Sequence, residues 1–236
     1  MSIISKLFKS KISEENNSLP ISEGEIDIPD ELIKDEVIKV DRLFEYTKRI
    51  EANPKNADAF YFRGNEKSKI ADYEGAIEDY TLALKLNAKF TEAYYNRAIA
   101  KRKLGDQRSA LQDYTVAISL NPNFALAYNK RGVIKREIGN YGGAVDDYNQ
   151  AIILNPNFDE AYVNRGISRN EYKNYSGAIE DFDEAIALNP KNAEAYNNRG
   201  FARYSLDDHD EALLDWNKAI ELGSTTASDN IKKYSK

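Results

Sequence analysis

A repeat of 34 residues is the feature that most constrains the fold of this 236-residue chain. Five tandem copies occupy 57–90, 91–124, 125–158, 159–192 and 193–226, and each has the same pattern of residue types. A period of this length is typical of arrays in which one small supersecondary unit stacks on the next. Because each unit of such an array contacts only its neighbours, the repeats predict a single elongated domain.

Small and aromatic residues recur within every copy at helical spacings. The fourth place holds an aromatic ring, and the eighth holds glycine or alanine. Alanine returns at the twentieth and twenty-seventh places, with a second large ring at the twenty-fourth. Spacings of three and four residues put such side chains on one helix face. Each copy is therefore predicted to be two closely packed helices, with the rings filling the space beside the small residues.

Polar residues mark the predicted start of each second helix. They are Asp72, Asp106, Asn140, Asn174 and Asp208. Their side chains can accept hydrogen bonds from the first free amides of a helix. Gly105 and Gly139 precede two of them and suit a left-handed turn, for which Ala71, Lys173 and Asp207 are less ideal. Asn-Pro pairs end several second helices, and there we expect the asparagine to adopt the left-handed conformation.

These columns resemble the tetratricopeptide repeat family over residues 57–222, and most closely its bacterial-type repeats with Asn-Arg-Gly in the first helix. The resemblance implies an all-α fold, a right-handed superhelical solenoid of stacked antiparallel helix pairs. It also implies that the first helices line a concave groove that binds an extended peptide. The implied groove residues are Tyr61, Asn65, Tyr95, Asn96, Ile99, Arg102, Lys103, Asn129, Lys130, Val133, Arg136, Asn164, Ile167, Asn170, Asn197, Asn198 and Phe201.

A local excess of cations distinguishes the second and third units, although the chain has a net charge of −6. Arg102, Lys103, Lys130 and Arg136 fall on groove places of the family. Cations steer and select acidic ligands. The second and third units are therefore predicted to bind an extended acidic segment of another protein, with Arg102 and Arg136 exposed.

Two further columns are complete in all five units. Arginine fills the seventh place, at Arg63, Arg97, Arg131, Arg165 and Arg199. Aspartate fills the twenty-third place, at Asp79, Asp113, Asp147, Asp181 and Asp215. Equal numbers, equal spacing and opposite charge favour ion pairs within or between units over an arginine ladder that binds acidic ligands. Partly buried pairs of this kind specify helix register more than they add stability.

The remaining segments are expected to cover the ends of the array. Residues 1–28 are predicted to be disordered or weakly amphipathic, and 29–56 to form a degenerate half-unit that caps the N-terminal end. In that half-unit Arg42 and Arg49 stand where the five units of 57–223 have alanine. Residues 224–236 are predicted to form a short C-terminal capping helix.

The residue inventory argues against catalysis. The chain has no cysteine, a single histidine, His209, and no phosphate-binding glycine loop. No catalytic residue, metal, cofactor or small-molecule substrate is therefore expected. An isoelectric point near 5.1 disfavours nucleic acid as a partner. We expect a cytoplasmic, monomeric scaffold protein, because no apolar run reaches the roughly 20 residues of a membrane span and no secretory signal is present.

Two other functions stay open at this point. Residues 1–12 alternate isoleucine, leucine and phenylalanine with lysine, which is typical of a basic amphipathic segment. The chain could therefore be a membrane-associated assembly factor. A helical repeat that binds nucleic acid is the second alternative.

Overall fold

The computed structural model describes residues 42–234, in which all regular structure is helical. Residues 42–52 are the described part of the first helix, α1. The others are α2 (Ala57–Lys69), α3 (Tyr73–Leu86), α4 (Thr91–Lys103), α5 (Gln107–Leu120), α6 (Ala125–Glu137), α7 (Tyr141–Leu154), α8 (Asp159–Glu171), α9 (Tyr175–Leu188), α10 (Ala193–Tyr204), α11 (His209–Glu221) and α12 (Thr225–Tyr234). The predicted all-α class is confirmed. The predictions for 1–28 and 29–41, including the amphipathic segment, lie outside the described residues.

The helices divide into two compact units, Met1–Asn87 and Ala88–Lys236. The described part of the first unit contains α1, α2 and α3, and α2 packs against α3. The second unit contains α4 to α12. Within it the two helices of each repeat pack together, and each pair stacks on the next. The stacked helix pairs predicted from the sequence are therefore present.

Small residues and large rings build the interior as predicted. The twenty-fourth-place rings Tyr80, Tyr114, Tyr148, Phe182 and Trp216 are buried, and so are the alanines around them. Gly132 shows why the eighth place is small, because a Cβ atom there would lie 2.7 Å from Cε1 of Tyr148. Real Cβ atoms do not approach this closely, so a larger residue would displace the ring.

An arginine–aspartate pair joins the two helices of every repeat, as the sequence predicts. In the third repeat, Arg131 Nε and Nη2 donate to Asp147 Oδ2 and Oδ1 at 2.9 and 2.7 Å. Arg131 Nη1 also donates to Thr115 Oγ1 in the preceding repeat, at 3.3 Å. The guanidinium lies over the ring of Tyr128, 5.6 Å from its centroid. One arginine therefore contacts both helices of its own repeat and one helix of the preceding repeat.

A second cation contacts each of these aspartates, which the sequence reasoning missed. It stands four residues after the arginine, at Lys67, Lys101, Lys135, Arg169 and Arg203. Lys135 Nζ, for example, lies 2.9 Å from Asp147 Oδ2. Each buried carboxylate therefore has two cationic partners on one first helix. The complete column of basic residues at the eleventh place was the available signal.

All five second helices begin directly after the predicted residue, and four of these residues make the expected capping bond. Asp72, Asp106, Asn140 and Asn174 accept from the amide three residues on, at 3.0 to 3.2 Å. Asp208 stands before α11, but its side chain makes no such bond. The expected capping role of Asp208 is therefore wrong.

The residue directly before the Asp or Asn that starts each second helix has a left-handed backbone conformation in every repeat. Gly105 and Gly139 have φ of 83° and 79°, and Ala71, Lys173 and Asp207 have φ of 62°, 62° and 64°. The backbone path is thus the same whether or not glycine is present. The non-glycine residues adopt a conformation that costs roughly 1–2 kcal/mol for an L-residue.

The expected left-handed asparagine at the helix ends is wrong. Asn121, Asn155 and Asn189 have φ between −133° and −141°. Their side chains instead accept from the amide two residues on, at distances of 3.0 to 3.3 Å. This local turn orients the chain toward the next first helix, and proline in between needs no amide partner.

The two chain ends of the described region differ. In α1 the side chains of Arg42 and Arg49 are 53 and 55 % exposed, at places where the repeats bury alanine. At the other end α12 covers the last repeat. Tyr234 stacks on Trp216 with ring centroids 5.8 Å apart, and Ala227 is fully buried.

We predict that Asp147→Asn lowers the free energy of unfolding by about 3 kcal/mol, because it leaves Arg131 and Lys135 partly buried without a carboxylate. Asp146→Asn is the matched control, because Asp146 is exposed and has no ion pair among the described residues. It should change stability by less than about 0.5 kcal/mol. Chemical denaturation of both variants measures the difference, and equal losses would contradict the pairing.

We also predict that Ala71→Gly raises the free energy of unfolding by about 1 kcal/mol, since it removes the left-handed strain at φ of 62°. Gly105→Ala should lower it by a similar amount. No atom lies within 4 Å of the position that its Cβ would occupy, so only backbone strain is added. Thermal denaturation tests the opposite signs, and a stabilising Gly105→Ala would refute the argument.

Candidate functional site

The first helices of successive repeats form one side of the second unit. Helix α6 lies beside α8, α8 beside α10, and α10 beside α12. Arg102 on α4 also forms an ion pair with Glu137 on α6. The groove places predicted from the sequence are therefore on neighbouring helices. We call this side of the second unit, from α4 to α12, the first-helix face.

Two of the four predicted cations are already neutralised by acidic residues of the next repeat. Glu137 accepts from Arg102 and, at 3.0 Å, from Gln107 Nε2. The hydrogen bond to Glu137 raises the pKa of Arg102. Lys130 Nζ lies 2.8 Å from Glu160 Oε1. An acidic ligand would have to compete with these two carboxylates.

The other two cations have no ion pair among the described residues. Lys103 is exposed at the end of α4. Arg136 and Arg102 are both half-buried, so the expected exposure of these two arginines is wrong. The Nε atom of Arg136 is buried and has no hydrogen-bond partner. The positive charge of the face is therefore uncompensated at Lys103 and Arg136.

A buried hydroxyl without an acceptor lies next to Arg136. Tyr148 OH is buried and has no partner. Burial raises the pKa of Tyr148 to about 12, and the nearby Arg136 opposes part of this rise. In the first repeat the corresponding Tyr80 OH donates to Asn65 Oδ1 at 2.8 Å. The third repeat has Val133 where the first has Asn65, which explains the missing acceptor.

The predicted groove asparagines mostly tie neighbouring first helices together. Asn129 is fully buried and accepts from Asn164 Nδ2 at 3.0 Å, so its predicted contact with a ligand is wrong. Asn170 Nδ2 donates to the backbone carbonyl of Asn198 at 3.2 Å. Asn198 in turn donates to the carbonyl of Glu194 in its own helix. These bonds reduce the number of amides that can grip a peptide.

The apolar groove residues contribute more to packing than to an open surface. Tyr95 packs on Phe124 and Tyr114, with ring centroids 4.8 and 5.6 Å apart. Burial raises the pKa of Tyr95 to about 12, and Glu160 adds to this rise. Ile99 packs against the core cluster that contains Tyr114. Asn96 and Val133 are half-buried on the same face.

Tyr61 and Asn65 belong to the first unit. Tyr61 is half-buried and lies 5.2 Å from Phe62, measured between ring centroids. Asn65 is held by the Tyr80 hydroxyl. Within the first unit these two residues lie on α2, which is a first helix like those of the first-helix face.

A cleft of about 450 Å³ opens between α8, α10 and α12. We call it the Phe201 cleft. It is lined by Ile167, Asn170, Glu171, Lys173, Tyr175, Asn197, Asn198, Phe201, Asn230 and Tyr234. Half of these residues were predicted as groove residues. The contributions of Asn230 and Tyr234 were missed, because α12 follows Gly223 after a shortened loop and leaves the 34-residue register.

Several amide atoms in this cleft have no partner among the described residues. Asn197 Oδ1 accepts from Asn230 Nδ2 at 2.9 Å, which leaves Asn197 Nδ2 available. Asn198 uses Nδ2 within its own helix and leaves Oδ1 available. Asn170 is 9 % exposed, and its Oδ1 atom has no donor. Unpaired amide groups in a concave site can pair with the peptide groups of an extended chain.

Residues 42–234 provide neither a metal site nor a membrane span. They contain no group of three or more histidine and carboxylate side chains that could hold a metal ion. None of the helices in this range is long and apolar enough to cross a membrane.

Comparison with protein families matches most of the repeat region. Family models described as tetratricopeptide repeat match residues 57–90, 91–124 and 193–225. A further model of this family, described as TPR repeat, matches residues 132–169 and 170–207. Together these matches cover more than half of the chain. No curated protein matches the sequence.

Several solved structures share the fold. A crystal structure of MamA has a TM-score of 0.65 and 26% identity, covering 70% of this chain and 96% of that chain. MamA from Desulfovibrio magneticus has a TM-score of 0.67 and 22% identity, with coverages of 70% and 94%. YrrB, described as a TPR protein with an unusual peptide-binding site, has a TM-score of 0.69 and 22% identity, with coverages of 80% and 97%.

The unpaired hydroxyl of Tyr148 gives a prediction. Tyr148→Phe should change the free energy of unfolding by less than about 0.5 kcal/mol or stabilise the protein, because no hydrogen bond is lost. Tyr80→Phe should cost about 1 kcal/mol, because it breaks the bond to Asn65. Chemical denaturation compares the two, and a larger loss for Tyr148→Phe would show that its hydroxyl has a partner.

Proposed function

Because the chain belongs to the tetratricopeptide repeat family, we propose that it is a non-catalytic scaffold that binds an extended acidic segment of another protein along the first-helix face. The family assignment and the stacked helix pairs support a role in protein–protein interaction. The location of the site and the acidic character of the ligand rest on the side chains of this chain.

The uncompensated charge of Arg136 and Lys103 carries this proposal. Both residues belong to first helices, and neither has an ion pair among the described residues. The side chain of Arg136 is half-buried and charged, and a charge-assisted hydrogen bond to a carboxylate is stronger than one between neutral groups. An acidic side chain from a bound segment would provide that acceptor.

The neighbouring ion pairs support the same chemistry. Lys130 and Arg102 already accommodate carboxylates from Glu160 and Glu137 on this face. The face is therefore shaped to receive carboxylates between adjacent first helices. Because these internal acids compete, affinity for a ligand should depend strongly on salt and on charge.

The experiment compares Arg136→Glu with Arg108→Glu in binding to a labelled glutamate-rich peptide and its glutamine counterpart. Both substitutions make the same change in charge, but Arg108 is exposed on α5, a second helix. Arg136→Glu should weaken binding of the acidic peptide roughly tenfold, and added salt should weaken binding to the unaltered protein. Arg108→Glu should have little effect.

Fluorescence anisotropy measures binding, and circular dichroism checks that both variants stay helical. Equal binding of the glutamate and glutamine peptides would refute the acidic preference. Equal weakening by Arg136→Glu and Arg108→Glu would refute the location, because only general charge would then matter.

A further inference from the structure

We propose that the Phe201 cleft is a second contact point for the same bound segment and takes one of its apolar side chains. This inference rests on the proposed function. It adds to the ligand an apolar residue about five positions from the acidic residue that meets Arg136. The cap helix α12 thereby becomes part of the binding surface as well as the cover of the last repeat.

The rings of the cleft suit an apolar side chain. Phe201 lies 6.4 Å from Tyr175 and 6.4 Å from Tyr234, measured between ring centroids. The ring planes are inclined by 73° and 60°, so three aromatic groups surround the same open volume. Ile167 adds an aliphatic wall. Burying a large apolar side chain against such groups removes apolar surface from water and so favours binding.

The amides of the cleft suit the backbone on either side of that residue. Asn197 Nδ2 can donate to a peptide carbonyl, and Asn198 Oδ1 can accept from a peptide amide. Asn170 is nine-tenths buried and has an unpaired Oδ1 in the same lining. An apolar pocket with a few convergent polar groups is the usual form of a ligand site.

Charge separates this cleft from the cationic part of the face. Glu171 and Lys173 both line it and carry opposite charges. The cleft therefore has no formal net charge from its lining residues and does not select an acidic side chain. The acidic and apolar preferences belong to different positions of the ligand.

The distance between the two contacts fixes their spacing in the ligand. Arg136 lies on α6 and Phe201 on α10, with α8 between them. Packed helices lie about 8–10 Å apart, so the contacts are separated by two such steps, roughly 16–20 Å. An extended chain covers about 3.3–3.6 Å per residue, which gives a spacing of about five residues.

The experiment uses labelled synthetic peptides and the full chain. One peptide carries only a glutamate run, one carries only a phenylalanine, and a series joins the two through glycine-serine spacers of increasing length. A spacer of about five residues should raise affinity at least about tenfold over the glutamate-only peptide, whereas a spacer of about one residue cannot span the contacts.

Two variants of the cleft test its role. Phe201→Ala should reduce affinity for the long-spacer peptide to that of the glutamate-only peptide. Asn198→Asp should also reduce affinity for the long-spacer peptide, because the apolar side chain of the peptide would remove water from the new carboxylate. This variant leaves all packed rings in place. Binding of the glutamate-only peptide to each variant is measured alongside, so that the gain from the phenylalanine is counted relative to it. Circular dichroism establishes that the variants remain folded.

The outcomes separate the two proposals. Equal affinity at every spacer length, or a folded Asn198→Asp variant that keeps the full gain, overturns the cleft and leaves the acidic site intact. Binding of the phenylalanine peptide without any binding of the glutamate peptide overturns the acidic preference and supports the cleft. A gain that needs the spacer and disappears in both variants supports both proposals.

Discussion

A buried carboxylate in each repeat is the constraint on which the rest of the structure depends. In the third repeat Asp147 on the second helix receives Arg131 and Lys135 from the first, at 2.7 to 2.9 Å. Removing these charges from water is costly, and the cost is offset only when every partner is in place. The arrangement therefore permits one register between the two helices. Since Arg131 also reaches Thr115, the third repeat is held against the second, and with it this part of the first-helix face.

The first-helix face uses much of its polar capacity internally. Asn129 and Asn164 bind each other, while Lys130 and Arg102 pair with acids of the following repeat. Among the described residues of this face, the groups proposed to contact a ligand lie in two places. Lys103 and Arg136 are on α4 and α6, and the unpaired amide atoms line the Phe201 cleft. A repetitive scaffold can thus present a non-repetitive surface, because the departures from the repeat decide which groups are unpaired.

The sequence predicted the contacts that recur in all five repeats. It missed the features that depend on one residue or loop that differs from the repeat pattern. The period, the ring and glycine columns and the arginine–aspartate pairs were predictable because five copies repeat each contact. The family resemblance also placed the groove residues of the second unit on neighbouring first helices. The burial of Asn129 was not predictable, since it depends on a hydrogen bond from Asn164 of the next repeat. The Phe201 cleft was missed because α12 leaves the register after Gly223.

The arginines of α1 have a consequence for assembly. A stacked array of this kind has an open end to which an identical molecule could add, and such head-to-tail contacts build filaments without limit. The repeats bury alanine at two places of each second helix, whereas α1 has Arg42 and Arg49 at those places, both more than half exposed. A helix docking there would have to strip water from two guanidinium groups, at a cost of several kcal/mol per ion. Charge at these two positions therefore disfavours close packing of a further helix against them.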